Sequence, residues 1–249
     1  MIQLTRRGVE SSNRVAVLEQ LRADFEARHY FRIPNFLAPE LLDFVQSEID
    51  RGEFYGRVHQ NIGNDLCLRG NAAFGALLFL FNDETLFRIV REITGCPQIG
   101  CFDGRIYRVI PGEGHSDSWH DDRIDQRLVG MTVNLSKQEY AGGILQLRDV
   151  ASGKIEEVSN AGSGDAVIFR LSDTLEHRIT ALEGKAQKTA FAGWFRAEPD
   201  FLSLLKRRTA VVLKNPADAP RERTVTFEKD NDETNFVTTA SRESSLDTY

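Results

Sequence analysis

The sequence predicts a mainly β fold with supporting helices, arranged as a sandwich or a jelly roll. From about residue 99 to residue 198, short apolar stretches are separated by turn residues such as Pro111-Gly112 and Gly142-Gly143. Many short strands between glycine-rich turns are typical of two-layered β folds. With 249 residues, 41% of them hydrophobic, the chain is long enough to bury one large core.

Helical periodicity dominates the first third of the chain. Apolar side chains at helical spacing follow Asn13 and again follow Pro39, a residue that favours the first turn of a helix. The segment 52–75 lacks apolar periodicity, so we expect a long loop there. Asn82 can cap a further helix, and Gly95 follows its last apolar residue.

Six candidate strands make up the β region, and a mixed segment follows it. The candidate strands are 105–110, 129–135, 144–148, 166–170, 177–180 and 188–196. In the mixed segment we expect a helical turn at 201–205, edge strands at 209–213 and 224–227, and a polar tail. The chain therefore reads as one domain in three parts: a helical and loop segment (1–98), a β core with the candidate catalytic site (99–198) and an extension (199–249).

Composition and charge argue against several classes of protein. The net charge of −6, from 31 basic and 37 acidic residues, argues against general nucleic-acid binding, which needs a basic surface. No apolar run approaches the roughly 20 residues that span a bilayer, and no apolar stretch of a signal peptide follows the first arginines. Cys67, Cys96 and Cys101 lack paired metal-site spacing, so we expect reduced thiols in a cytoplasmic protein.

Two histidines and an aspartate form the most informative pattern in the sequence. His120 and Asp122 are two positions apart in an extended segment, so their side chains share a face and can bind one metal ion. Alone, this pair also fits a surface turn. His177, at the start of a candidate strand, supplies a second histidine. Two histidines and one carboxylate are the facial triad of non-haem Fe(II) oxygenases, whereas a structural zinc site is closed and tetrahedral.

Lys188 adds a third component to this pattern. A 2-oxoglutarate cosubstrate needs a cation for the carboxylate that lies far from the iron. If Lys188 faces inward on its strand, then Ala190, Ala192 and Trp194 face inward too, and the alanines leave a slot for a slender dicarboxylate. The alternative reading is an ordinary surface lysine on an edge strand.

The order of these landmarks resembles the prolyl-hydroxylase-type 2-oxoglutarate/Fe(II) dioxygenases, which include the oxygen-sensing prolyl hydroxylases. The resemblance covers roughly residues 100–198 and is specific as an ordered set, although each piece alone is weak. The matching pieces are Pro111-Gly112-Glu113-Gly114, His120 with Asp122, Asn134-Leu135, Gly142-Gly143-Ile144-Leu145, Gly164-Asp165-Ala166-Val167-Ile168-Phe169, Ser172-Asp173 before His177, Lys188, and Gly193-Trp194-Phe195.

The resemblance implies a double-stranded β-helix, which is a cupin-like jelly roll with supporting helices. It also implies that His120, Asp122 and His177 bind Fe(II) and that Lys188 pairs with the distal carboxylate of 2-oxoglutarate. Collagen-type relatives use a lysine at that position, whereas oxygen-sensing relatives use an arginine.

Departures from the family pattern concern the rim of the pocket. Asn134 stands where a tyrosine that contacts 2-oxoglutarate is common, and its amide can still donate a hydrogen bond. Ile110 also stands where a tyrosine is frequent, so a prolyl substrate does not follow. Arg108 and Trp194 are candidate substrate contacts, with an outward-facing arginine as the alternative for Arg108. His115 fits either a solvated loop or a substrate contact.

These observations predict an Fe(II)- and 2-oxoglutarate-dependent dioxygenase that uses O2, with ascorbate as an optional reductant. It would hydroxylate an unactivated C–H bond of an amino acid, another small metabolite or a protein residue, releasing succinate and CO2. We expect hydroxylation and not halogenation, because Asp122 fills the position that related halogenases leave open for chloride. The sequence fixes neither the substrate nor the oligomeric state, and we expect no nucleic-acid or membrane partner.

The alternative is a non-catalytic jelly-roll module that binds a metal or a partner. A zinc hydrolase lacks an obvious general base on the usual helix-borne motif.

Overall fold

Helices and short strands fill the N-terminal part of the chain. A computed structural model describes residues 1–11, 14–59, 62–124 and 126–214. The first elements are β1 (Ile2–Thr5), β2 (Gly8–Ser11), α1 (Arg14–Arg28), β3 (Tyr30–Ile33), α2 (Pro39–Asp50), β4 (Phe54–His59), β5 (Gly63–Leu68), α3 (Ala72–Leu80) and α4 (Glu84–Thr94). The three predicted helices are confirmed, although the N-cap of α4 is Asp83 and not Asn82. Gly95 ends α4 with a φ of 68°, a left-handed conformation that glycine adopts without strain.

The segment 52–75 is a β-hairpin followed by the start of α3, so the prediction of a long loop was wrong. Strands β4 and β5 pair antiparallel from Phe54 opposite Leu68 to His59 opposite Gly63. Residues 65–68 are all buried. A strand covered on both faces loses the alternation that identifies it in a sequence, which is the physical reason for the error.

The β region contains the six predicted strands and several shorter ones. Its elements are β6 (Cys101–Val109), β7 (Ser116–Asp117), β8 (Arg127–Asn134), β9 (Ala141–Gly142), β10 (Leu145–Asp149), β11 (Ile155–Val158), β12 (Ala166–Arg170), β13 (Leu175–Ile179), β14 (Leu182–Glu183) and β15 (Lys188–Arg196). The predicted bounds of β12 and β15 agree with the structure, and those of the other four strands differ by a few residues at one or both ends.

A helix, α5 (Phe201–Lys214), follows the last strand. It begins after Asp200, whose side chain accepts a hydrogen bond from the backbone N–H of Ser203. The edge strand predicted at 209–213 was therefore wrong, because the helix continues through it. The strand predicted at 224–227 and the polar tail lie outside the described residues.

Two sheets face each other and leave a cavity between them. The large sheet has the order β3-β12-β8-β15-β6-β5-β4, and β7 pairs with β5 at its edge. The smaller sheet has the order β11-β10-β13, and a separate pair joins β14 to β9. Strand β15 is central because it pairs with β6 along its whole length and with β8 from Ala190 onwards.

The two faces of the large sheet have different neighbours. One face packs against the helices in a core that includes Phe102, Ile106, Phe191 and Phe195. A second, smaller apolar cluster, which includes Leu145, Leu147, Val167 and Phe169, joins the large sheet to the small one. None of the helices in the described part of the chain is both long and apolar enough to cross a membrane.

Candidate metal centre

The cavity between the two sheets brings the three predicted metal ligands together. His120 and Asp122 lie in the segment between β7 and β8, and His177 lies on β13. The Nε2 atom of His177 is 3.3 Å from Oδ2 of Asp122, and Nε2 of His120 is 3.6 Å from the same oxygen. One donor atom from each of the three residues lies within 4.8 Å of the others. Two imidazoles and one carboxylate on one side of a cavity fit an Fe(II) ion with positions left for other ligands.

Backbone hydrogen bonds fix the two histidines relative to each other. The N–H of His120 donates to the carbonyl of His177 at 3.1 Å, and the N–H of His177 donates to the carbonyl of His120 at 2.8 Å. Nδ1 of His120 lies 2.7 Å from the carbonyl oxygen of Ser118. A carbonyl can only accept, so Nδ1 carries a proton, and Nε2, which faces Asp122, is the nitrogen that would bind a metal once it has lost its own proton.

The carboxylate of Asp122 is held by two further side chains. Trp194 Nε1 donates to Oδ2 at 2.9 Å, and Arg127 Nη1 donates to Oδ1 at 2.6 Å. The guanidinium of Arg127 also stacks on the indole of Trp194, 3.5 Å from the ring centroid. Burial alone would raise the pKa of Asp122, but the contacts with His120 and His177 and the charge of Arg127 hold that pKa well below its usual range. The carboxylate is therefore ionised and oriented.

The charge of Asp122 also affects the neighbouring histidine. Burial by itself lowers the pKa of His120, yet hydrogen bonds to Asp122 and Ser118 raise it to about 8. Burial raises the pKa of Asp117, whose Oδ2 accepts a hydrogen bond from the N–H of Ile179 at 2.6 Å. Asp117 lines the same cavity, and it supports the backbone of β13 just after His177.

Lys188 is a buried cation on the same face of β15 as the cavity-lining residues. Ala192 and Trp194 line the cavity, as the predicted strand register requires. The Lys188 side chain is only 6% exposed, and its Nζ donates to the carbonyl of Gly143 at 2.6 Å. Burial lowers its pKa to about 8, and the charge of Asp117 acts in the opposite direction. Lys188 thus sits just behind the cavity wall with donor capacity that an anionic ligand can use.

Asn134 lies on β8 opposite Ala190, but it does not face the cavity as a free donor. Its amide nitrogen donates to the carbonyl of Ala161 at 2.8 Å, and its Oδ1 accepts from the N–H of Ser136. Tyr140 instead lies beside Lys188, whose Nζ is 5.6 Å from the centroid of the phenol ring. Burial raises the pKa of Tyr140 to about 12, so its hydroxyl stays protonated and can donate a hydrogen bond.

Arg108 is on the opposite face of β6 from the predicted one, so the expectation that it faces the cavity was wrong. Its guanidinium stacks on Phe54, 4.0 Å from the ring centroid, and its Nε donates to Thr189. Arg105, Tyr107 and Val109 line the cavity instead. Phe102 and Ile106 pack into the core beside the helices, so the even-numbered side chains of β6 lie on that face and not on the cavity face. The shared parity of Arg108 and Ile106 was therefore right, and the error lay in taking that face as the one toward the cavity.

Several residues that line the cavity were not predicted from the sequence. Arg127 lies five residues after Asp122, and its side chain contacts that carboxylate. His59 and Asp65 come from the β4–β5 hairpin, which was expected to be a loop. His115, considered as a loop histidine or a substrate contact, does line the cavity, and its Nδ1 accepts a hydrogen bond from the N–H of Ile110. The pairing of β5 with β6 joins segments about 40 residues apart, which the sequence alone did not reveal.

Comparisons with known proteins agree with this architecture. Residues 104–196 match the family model described as the 2OG-Fe(II) oxygenase superfamily. A prolyl-4-hydroxylase from Pseudomonas putida superposes with a TM-score of 0.56 at 19% identity, covering 73% of this chain and 100% of the other. A 2OG-Fe(II) oxygenase family oxidoreductase from Burkholderia pseudomallei gives 0.56 at 12% identity, covering 80% and 98%. A search of curated protein sequences finds no match.

A third structure is a prolyl hydroxylase from Trichoplax adhaerens, solved with a fragment of the hypoxia inducible factor oxygen degradation domain. It gives a TM-score of 0.54 at 15% identity and covers 73% of this chain and 90% of its own. At such identities the likeness shows the fold, which is a jelly roll of the double-stranded β-helix type, as predicted. The family model adds the cofactors, which are Fe(II), 2-oxoglutarate and O2.

Proposed function

We propose that this chain, whose residues 104–196 match the model of the 2OG-Fe(II) oxygenase superfamily, is such an oxygenase and hydroxylates an unactivated C–H bond. The observation that carries the proposal is the convergence of His120, Asp122 and His177 in one cavity, with donor atoms within 4.8 Å. We assign these three residues as the iron ligands. When bound, the iron with 2-oxoglutarate and O2 supplies the oxidising power, by which one oxygen atom enters the substrate and 2-oxoglutarate leaves as succinate and CO2.

Lys188 is the proposed partner for the distal carboxylate of 2-oxoglutarate. Its ammonium is buried and donates to the carbonyl of Gly143, so an incoming carboxylate would offset the cost of burying the charge. The phenol ring of Tyr140 lies beside the same ammonium, and its protonated hydroxyl is the proposed second hydrogen-bond donor. Tyr140 thus takes the place that we predicted for Asn134, whose amide is used by the backbone.

The proposed iron ligands are kept in place by Arg127 and Trp194, which act as positioning residues. Both bind the carboxylate of Asp122, one at each oxygen, so the carboxylate cannot rotate away from the histidines. Apolar side chains around the centre, including Met131, Leu145 and Phe169, limit the water that reaches the reacting carbon.

Asp122 also favours hydroxylation over halogenation. A halide would need the coordination position that this carboxylate takes. An intact set of His120, Asp122, His177 and Lys188 likewise argues against a module that has lost catalysis, because an inactive site has no physical need for a buried, unpaired lysine.

The proposal is tested by supplying the protein with Fe(II), 2-oxoglutarate and ¹⁸O₂ and following succinate by mass spectrometry. We expect succinate carrying one ¹⁸O atom, formed slowly without a substrate and faster with one. The His177→Ala variant should form none above the rate of free iron. Succinate production by that variant at the wild-type rate would contradict the assignment.

A further inference from the structure

A polar cluster on the wall of the cavity is not used by the iron or the 2-oxoglutarate site. It consists of Arg57 and His59 on β4, Asp65 on β5 and Arg105 on β6, and we call it the rim cluster. Except for Arg57, its members line the same cavity as the proposed iron ligands. Arg105 lies opposite Ala192 of β15, so it faces the centre of the cavity. The rim cluster is therefore placed to contact a molecule that reacts at the metal.

Three atoms of the rim cluster are buried and have no hydrogen-bond partner. They are Nε of Arg105, Oδ1 of Asp65 and Nε2 of His59. Oδ2 of Asp65 pairs with Nη2 of Arg105 at 3.3 Å, so each of these two side chains has one atom in the ion pair and one atom without a partner. Buried polar atoms are nearly always satisfied in folded proteins. Three such atoms, each with less than 1 Å² of accessible surface, leave hydrogen-bonding capacity beside the cavity that a polar ligand would use if the side chains turned toward it.

The charge of the rim cluster specifies the sign of that ligand. Two guanidinium groups face one carboxylate, which leaves an excess of one positive charge. Burial lowers the pKa of Arg57, and the charge of Arg105 lowers it further. Burial and the same two arginines lower the pKa of His59. A nearby anion would relieve this repulsion, whereas a second cation would increase it.

Asp65 restricts the anion further. Its carboxylate is 9% exposed and lies beside Arg105, so it would repel a doubly charged phosphate or sulfate ester. A singly charged carboxylate that has an N–H or O–H donor next to it fits better, because the donor can bind Oδ1 of Asp65.

We propose that the substrate is a small carboxylic acid with a neighbouring amino or hydroxyl group, bound by Arg105 through its carboxylate and by Asp65 through the donor. This inference rests on the proposed function and names the substrate class of the same site. Arg105 lies 5.7 Å from the ring centroids of both Tyr107 and Trp194, and Trp194 donates to the Asp122 carboxylate. One indole ring thus separates the carboxylate anchor from the metal site, so the oxidised carbon lies a few bonds from the carboxylate. Among residues inside a protein chain only Asp and Glu carry a carboxylate, so most peptide substrates do not fit.

The test measures 2-oxoglutarate consumption by the iron-loaded protein with a panel of probe compounds. The panel holds the proteinogenic L-amino acids and the matching 2-hydroxy acids, each as the free acid and as its primary amide. We expect at least one acid to stimulate consumption tenfold or more, and its amide to fail, because a charge-assisted hydrogen bond is lost. For the same acid, Arg105→Met should raise the concentration for half-maximal stimulation at least tenfold.

Arg69→Met is the matched control, since Arg69 follows the same hairpin but its side chain is 45% exposed and pairs with Glu53. It should leave the stimulation unchanged. Amides that act as well as acids would overturn the inference, and so would an Arg105→Met protein with wild-type stimulation. Loss of 2-oxoglutarate binding in Arg105→Met would also overturn it, because Arg105 would then hold the cosubstrate.

The acid-against-amide comparison needs no variant, so a failure of Arg105→Met to fold does not remove the test. Failure of every acid while wild-type protein still consumes 2-oxoglutarate contradicts the substrate class alone. Failure of wild-type protein to bind or consume 2-oxoglutarate at all contradicts the proposed function instead.

Discussion

Replacing Lys188 by methionine tests the proposed cosubstrate site with little change in shape. Methionine keeps most of the aliphatic stem of Lys188 but removes the ammonium. The stem packs closely on Gly143, since its Cδ lies 3.2 Å from the place where a Cβ on that glycine would stand. A hydrogen bond to a charged group contributes about 1.5–3 kcal/mol net. Because 1.4 kcal/mol corresponds to a factor of ten, the dissociation constant of 2-oxoglutarate should rise about 10- to 150-fold.

The same substitution should not weaken the folded protein without ligand. Lys188 is buried, and its pKa is lowered to about 8 because the charged form is poorly solvated there. Removing that charge takes away an unfavourable term, so the free energy of unfolding should stay constant or increase. A loss of 2-oxoglutarate affinity together with an unchanged or higher melting temperature separates a binding role from a structural one.

The assay is anaerobic titration of the Fe(II)-loaded protein with 2-oxoglutarate, followed by its visible absorption, with thermal unfolding measured in parallel. Lys185→Met is the control, because Lys185 is exposed in the segment between β14 and β15. We expect wild-type affinity for Lys185→Met. Wild-type affinity for Lys188→Met would refute the reasoning, and a loss confined to Lys185→Met would mean that the cosubstrate approaches from another side.

Three further predictions concern pH, backbone packing and halides. The affinity for 2-oxoglutarate should be constant below about pH 8 and fall about tenfold per pH unit above it, because only the protonated Lys188 attracts the anion and its pKa is about 8. Binding titrations from pH 6.5 to 9.5 would show this fall, and an affinity that does not change with pH would contradict the prediction. Gly193→Ala should lower the free energy of unfolding by about 1–3 kcal/mol, since its new Cβ would lie 2.3 Å from the carbonyl of Asp103. Gly56→Ala, which meets nothing within 4 Å, is the control for this urea-unfolding experiment, and equal costs would contradict the argument. In chloride or bromide buffer the product should contain only added oxygen, because Asp122 takes the position a halide needs, and a halogenated product in the mass spectrum would refute this.

The sequence was sufficient for the β core because its strands carry local signals. Strand β15 could be placed with its inward face because Lys188, Ala192 and Trp194 alternate with the core residues Phe191 and Phe195. The glycines beside the other strands mark their ends in the same local way. The three proposed iron ligands also lie at recognisable positions along the chain, and the fold brings them together.

The rest of the site could not be predicted because it depends on contacts between distant segments. Asp65 reaches Arg105 only when the β4–β5 hairpin joins the large sheet, and the buried run at 65–68 hides that hairpin. Arg108 does share a face of β6 with Ile106, but that face packs against the helical core, and which face meets the cavity depends on how the helices cover the sheet. Asn134 binds the backbone through both ends of its amide, a pair of contacts with residues 136 and 161 that no local pattern reveals.

The most direct test of the central claim is the anaerobic binding of Fe(II) and 2-oxoglutarate to the purified protein, observed through the weak visible charge-transfer band of the chelate. We expect one iron per chain in the wild-type protein and a band that appears only when both iron and 2-oxoglutarate are present. Alanine at His120, Asp122 or His177 should remove most of the bound iron and the band. A wild-type protein that shows no band at saturating iron and 2-oxoglutarate, or a His177→Ala protein that keeps the full band, would contradict the account.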